Sequence, residues 1–174
     1  MKIFILIFIF FPTLLWGKTL NISYKAQATP VWCWAASSAM VLEYVKGEKV
    51  SGLDLLNSFF EMDCTNNEEC NRPGGSYEIS EILETSGILN HWLGRALSLK
   101  EIKAQIDQGN PLLIGLFNEE KFRGHVMVIG GYEEDKVVIF DSLHESKRAV
   151  EISLETLLNN YREGLIWVDT LILD

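Results

Sequence analysis

Apolar residues crowd the start of the chain. Ile3 to Trp16 is an almost unbroken run, IFILIFIFFPTLLW, preceded by Lys2 and followed by small Gly17 and polar Lys18. A charged start, an apolar stretch and a small residue form the layout of a secretory signal. The run is roughly 14 residues, short of the ~20 that span a bilayer, and Pro12 interrupts it. Cleavage after Gly17 is expected, so that residues 1–17 are a signal peptide and 18–174 a single domain. An uncleaved anchor is the alternative, because Leu15 is larger than the alanine usual at that position. No stable membrane insertion is expected after cleavage.

Helical periodicity begins at Cys33 and runs to Lys46. Ala36, Met40 and Tyr44 share a stripe flanked by Ala35, Ala39 and Leu42, and Gly47 offers a left-handed stop. Ser51 to Asp54 reads as the capped start of a second helix with Leu53, Leu56, Phe59 and Phe60 on one face. Residues 62–76 form a polar loop rich in Asn, Glu, Gly and Pro. Ser76 is expected to cap a third helix bearing Ile79, Ile82 and Leu83. Ser98 and Glu101 form a capping box for a fourth, ending near Gly109.

The pattern then changes. Pro111–Phe117, His125–Tyr132, Lys136–Asp141, Arg148–Ile152 and Leu165–Leu171 are rich in Val and Ile and bounded by glycine or charged turns, so they predict strands. Ser153 opens a short helix to about Asn160. Helices first and an antiparallel sheet second define an α+β domain.

Composition adds limits. The 174 residues are 48% apolar and 22% charged, which suits one globular domain and excludes a disordered chain. Net charge is −9, which disfavours nucleic-acid binding. No repeat is visible, which excludes solenoids and propellers. The three cysteines allow one bridge and one free thiol. Export and short separation favour a Cys64–Cys70 disulfide. The rival, a metal site with Asp63, Glu68 or His91, does not fit zinc-finger or ribbon spacing. No metal and no organic cofactor are expected.

Candidate chemistry centres on Cys33, in the segment Gln27-Ala-Thr-Pro-Val-Trp-Cys33-Trp-Ala-Ala. A helix N-terminus stabilises a thiolate, the reactive form of cysteine. The base would be His125, which follows Gly124 and opens an apolar strand that fixes the ring. Asp141, ending the next strand, can orient the imidazole. Gln27 carries an amide that can donate to an oxyanion beside the Cys33 N–H. Taken alone, Cys33 reads as a structural cysteine and His125 as a satisfied core histidine. The four residues in this order reverse that reading. His144 reads as a solvated loop residue and His91 as the start of a short strand.

Gln27, five intervening residues and then Cys33-Trp34, followed by Gly124-His125 and Asp141, resembles the papain-like cysteine peptidases of clan CA. The nearest likeness is to the small secreted bacterial papain-like and bacteriocin-leader-peptidase group, which shares a core like Trp32 to Ala36. The resemblance covers about residues 27–142. It implies a papain-like fold, an N-terminal helical half packed on a C-terminal antiparallel β-sheet. It implies hydrolysis of peptide bonds through a Cys-His-Asp triad and a thioester, with Gln27 in the oxyanion hole. Gly74 and Gly75 would line the substrate cleft, together with Trp34. Of Trp32 and Trp34, one is expected beneath the imidazole and the other in the core. Paired cysteines in this region also fit the Cys64–Cys70 bridge. An ordinary turn at 72–75 is the alternative for the glycines.

Three departures bear on this. Little sequence separates the signal from Gln27, so latency through a long pro-segment is not expected. Ser142 follows Asp141, where leader peptidases often have proline. No transporter segment accompanies the domain, which counts against a leader-peptide substrate. The same triad could serve a cell-wall amidase, a thioesterase or an acyltransferase, and a catalytically silent binding module is a further alternative. A peptide or protein substrate is expected, and the resemblance also admits an inhibitor or immunity partner.

Overall fold

The computed structural model describes residues 17–146 and 148–174. The predicted signal falls almost wholly on residues 1–16, outside the described residues. Among the described residues, no helix is long and apolar enough to cross a membrane.

The helical half contains α1 (Cys33–Lys46), α2 (Gly52–Phe60) and α3 (Ser76–Thr85), with α4 (Leu99–Asp107) following a short strand. From Cys33 to Leu42 every residue of α1 is buried. The predicted stripe is therefore too narrow: α1 is a central helix, packed on one side by α2 and α3 and on the other by the sheet. Its small residues, Ala35, Ala36, Ser37, Ser38 and Ala39, allow that close approach. Gly47, at φ 71, closes it by donating its N–H to the Glu43 carbonyl at 2.9 Å.

Capping explains the other helix starts. Ser51 Oγ accepts the Asp54 N–H at 3.1 Å. Ser98 Oγ accepts the Glu101 N–H at 3.4 Å, while the Glu101 carboxylate accepts the Ser98 N–H at 2.8 Å. The expectation for α3 needs correction. Ser76 is already helical, and the cap is Gly75, whose N–H donates to the Glu78 carboxylate at 2.8 Å.

Among the described residues the sheet has seven antiparallel strands: β1 (Lys18–Thr19), β2 (Asn90–Trp92), β3 (Leu112–Asn118), β4 (Arg123–Glu133), β5 (Lys136–Phe140), β6 (Val150–Ser153) and β7 (Ile166–Leu173). Their order is β2-β7-β3-β4-β5-β6, and β1 pairs with β4 beyond the end of β3. The short helix α5 (Leu154–Asn159), capped by Ser153, links β6 to β7. This α+β architecture, helices packed on an antiparallel sheet, is the one expected. Strand β1 was not foreseen, being two residues long. The buried apolar strands β3, β4 and β5 form the rigid platform beneath the candidate site.

Candidate active site

Cys33 is the first residue of α1, and Trp32 precedes it with non-helical backbone. Its N–H belongs to the helix turn that has no intrahelical acceptors. The side chain is buried, 8% exposed, and it borders a cleft of about 1090 Å³. Cys33 is the free cysteine, whereas Cys64 and Cys70 are bonded to each other as expected.

Strands β4 and β5 bring the histidine and aspartate together. His125 Nε2 lies 2.7 Å from Asp141 Oδ1, with His125 5% and Asp141 0% exposed. Cys33 and His125 line the same cleft, and with Nε2 committed to Asp141 the ring nitrogen left free is Nδ1. Burial opposes a charge on His125. The hydrogen bonds and negative charges of Asp141 and Cys33 outweigh it and raise the imidazolium pKa to about 9. For Asp141, burial likewise opposes ionisation, but the His125 hydrogen bond and charge, with help from Tyr161 and the Leu143 N–H, hold the carboxyl well below the usual carboxylate range.

Two residues of the site were missed in the sequence. Tyr161 Oη donates to Asp141 Oδ2 at 2.7 Å, and Arg162 Nε lies 3.1 Å from the same oxygen. Arg162 Nε also donates to Tyr161 Oη at 3.2 Å. Both oxygens of Asp141 are thus engaged, one toward His125 and one toward this pair. Burial first, and then the bond to Asp141, push the Tyr161 hydroxyl above its ordinary value. The pair stands at a turn closed by reciprocal 2.8 Å hydrogen bonds between Tyr161 and Leu165. Arg162, Glu163 and Gly164 all have positive φ, at 33°, 56° and 88°. Such backbone persists only when held by its surroundings. Here Asn118 Nδ2 donates to the Glu163 carbonyl at 2.9 Å, and Lys121 and Arg123 pair with the Glu163 carboxylate. No local sequence signal announces this arrangement.

Gln27 is tied to Ser142, the residue after Asp141, and is not among the residues that line the cleft. Its Oε1 accepts the Ser142 hydroxyl at 2.7 Å, its backbone N–H donates to the Ser142 carbonyl at 3.3 Å, and its Nε2 donates to the Thr29 carbonyl at 2.7 Å. The amide orientation is therefore set, with one N–H of Nε2 engaged and a second to spare.

Gly74 and Gly75 line the cleft. Trp34 does not, and its expected place on the substrate side is corrected: its ring is fully buried against Phe59 and Phe60, with centroids 5.7 and 6.2 Å away. Successive helical residues point about 100° apart, so a neighbour of Cys33 turns from the cleft into the core. Trp34 acts from beneath. A Cβ on Gly74 would lie 2.5 Å from its ring, so only glycine fits there. Trp32 is buried too, its indole N–H donating to the Cys70 carbonyl at 2.9 Å. His144, expected in solvent, is half-buried at the cleft and takes Ser146 Oγ at 2.7 Å on Nδ1. His91 lies in β2 as expected, paired with Asp174 at 2.8 Å.

A cysteine at a helix N-terminus, facing a histidine held by a buried aspartate on the adjoining sheet, is the arrangement of a papain-like cysteine peptidase. The Peptidase_C39 like family matches residues 19–168, and the chain belongs to it. It is a cysteine-type peptidase of clan CA. The solved structures agree on the fold. A putative C39-like peptidase from Bacillus anthracis is 18% identical, with TM-score 0.64, over 91% of this chain and 97% of its own. The peptidase domain of Streptococcus ComA, a bi-functional ABC transporter involved in a quorum-sensing pathway, is 16% identical, with TM-score 0.62, over 88% and 98%. The interpain A cysteine protease of Prevotella intermedia is 14% identical, with TM-score 0.54, over 89% and 92%. A search of curated proteins finds no match.

Proposed function

We propose that this chain is an exported peptidase that cleaves peptide bonds through Cys33, His125 and Asp141. The observation that carries the reading is the buried His125, bonded at 2.7 Å to Asp141 and lining the same cleft as Cys33. With the imidazolium pKa raised to about 9, the proton rests on His125 at neutral pH. The mechanism uses the sulfur of Cys33 as a thiolate, the nucleophilic form of cysteine.

In the reaction, the Cys33 thiolate forms a bond to the peptide carbonyl carbon. Negative charge moves to the carbonyl oxygen, received by the Cys33 N–H and the spare N–H of Gln27. The C–N bond breaks as His125 delivers its proton to the leaving amine, giving a thioester. Water then attacks the thioester, His125 takes its proton, and the C–S bond breaks to release the acid. Asp141 keeps the ring oriented and offsets its positive charge throughout. Gly74 and Gly75 leave room for a peptide backbone to lie against the cleft wall.

Export is supported by the apolar segment at residues 3–16 and by the Cys64–Cys70 disulfide, a bond that persists in oxidising compartments. The protein would then act outside the cell or in the periplasm, after loss of residues 1–17.

The test is incubation of the purified protein with a diverse peptide mixture, with products read by mass spectrometry beside Cys33→Ala. New termini are expected with the wild type alone. A folded wild type that cuts nothing, or a Cys33→Ala variant that cuts equally well, would refute the proposal.

A further inference from the structure

We propose that the cleft contains a subsite for a basic side chain of the substrate, lysine or arginine, between the indole of Trp92 and the carboxylate of Asp169. The inference rests on the peptidase reading and adds a substrate class to it.

Trp92, Gly115 and Asp169 line the same cleft as Cys33 and His125. Gly115 lies opposite Asp169 in the β3–β7 ladder, where the register shifts before Leu116. Gly115 is partly exposed, as is Phe117, while the other residues of β3 are buried. A Cβ placed there would sit 3.7 Å from Asp169 Cβ and 3.9 Å from Trp92 Cζ3. Gly115 thus puts no side chain against Asp169 and Trp92 where they border the cleft.

Both walls are fixed. The Trp92 indole N–H donates to the Ser76 carbonyl at 3.1 Å and to Ser80 Oγ at 3.0 Å. Asp169 Oδ1 accepts the backbone N–H groups of Gly94 and Thr170, each at 2.7 Å. Among the described residues, Asp169 Oδ2 has no hydrogen-bond donor, and no cation pairs with the carboxylate. The arginines of the cleft are occupied elsewhere: Arg123 lies 3.3 Å from Glu163, and Arg162 lies 3.1 Å from Asp141. An unpaired carboxylate beside an aromatic face suits a long basic side chain, which gains an ion pair and a cation–π contact while laying its methylenes on the ring. The chain's net charge of −9 would steer cationic peptides toward it.

The experiment scans peptides that carry lysine, norleucine or glutamate at one position at a time. Hydrolysis is measured with the wild type, and binding by fluorescence anisotropy with Cys33→Ala. At one position lysine should exceed norleucine by about tenfold, in kcat/KM and in affinity, with glutamate worst. Asp169→Asn keeps the Oδ1 acceptor and removes the charge, so the lysine-to-norleucine ratio should fall toward one. Gly115→Val should lower it by filling the gap. A wild type that hydrolyses the series with no basic preference overturns the subsite and leaves the peptidase reading intact. A ratio unmoved by Asp169→Asn also overturns it. If nothing is hydrolysed, the peptidase reading alone fails. Binding to Cys33→Ala then decides the subsite, and lysine peptides binding no tighter than norleucine peptides would overturn it.

Discussion

His125 Nε2 and Asp141 Oδ1 meet at 2.7 Å across the ends of two adjacent strands, both side chains out of water. Neither charge is affordable there alone. Removing one partner of such a pair typically costs about 3–5 kcal/mol, because the other is left buried and uncompensated. Asp141→Ala should therefore lower denaturant stability by that amount. It should also lower kcat by about 10²-fold or more, because the general acid–base His125 loses the group that orients its ring. Asp141→Asn, with similar shape, should retain more stability than activity. Equilibrium unfolding and peptide turnover on both variants check this.

The same pair sets a pH dependence. The pKa of His125 is raised to about 9, so its contribution to stability is complete below its unfolded value of about 6.5 and is lost as pH rises toward 9. Asp141 is shifted the other way. Its contribution is complete above its unfolded value of about 3.9 and is lost as pH falls through the depressed folded value. Both are whole between roughly pH 4 and 6.5. Thermal midpoints of the wild type, measured against His125→Ala, should decline from pH 6.5 to 9. Activity should show an alkaline limb near pH 9, where the imidazolium gives up its proton.

Tyr161 and Arg162 hold the far oxygen of Asp141. Tyr161→Phe removes the hydroxyl and should cost about 1–2 kcal/mol of stability. As a positioning residue acting through Asp141, it should lower kcat several-fold with KM little changed. A loss seen only in stability, with kcat intact, would limit the residue to a structural role.

The Cys64–Cys70 bridge anchors one wall of the cleft. The Cys70 carbonyl accepts the Trp32 indole N–H, Arg72 stacks on Phe60 with 4.2 Å to the ring centroid, and Gly74 lies against Trp34. A paired Cys64→Ser/Cys70→Ser variant should lose about 2–3 kcal/mol, the scale for a short closed loop. With the wall binding substrate as proposed, KM should rise more than kcat falls. Steady-state kinetics and urea unfolding separate the two effects.

Gly74→Ala tests the wall directly. The added methyl would meet the Trp34 ring at 2.5 Å, a position that backbone cannot leave without moving the cleft edge. Overpacking of this kind costs about 1–3 kcal/mol. Gly75→Ala, whose Cβ would have only the Glu78 carboxylate nearby, at 3.9 Å, should be far milder. Thermal midpoints of the two variants provide the comparison.

Local chemistry made much of this legible. Ser51, Ser98 and Ser153 announce their helices because a cap is a contact within one turn of chain. His125 and Asp141 could be paired because they stand on consecutive strands joined by a tight turn. What escaped depends on distant partners. Tyr161 reaches Asp141 through a turn of positive-φ residues that includes Arg162 and Glu163, which carry no glycine-like signal. Trp34 was misplaced because proximity to Cys33 in sequence is opposed by the helical rotation between them. Gly75 took the capping role from Ser76 because the Glu78 carboxylate reaches its backbone N–H. The breadth of burial around α1 follows from three packing partners, none of which its own periodicity reveals.

The central claim is a reactive thiolate–imidazolium pair at Cys33 and His125. Brief iodoacetamide treatment at about pH 6 without reductant, read by intact mass, tests it most directly. An ordinary thiol with pKa near 8.5 reacts slowly there. The account predicts rapid addition of one label to the wild type, none to Cys33→Ala and slow addition to His125→Ala, with Cys64 and Cys70 unlabelled. A folded wild type with Cys33 as the free thiol that labels no faster than His125→Ala would contradict it and leave the cleft to a binding role.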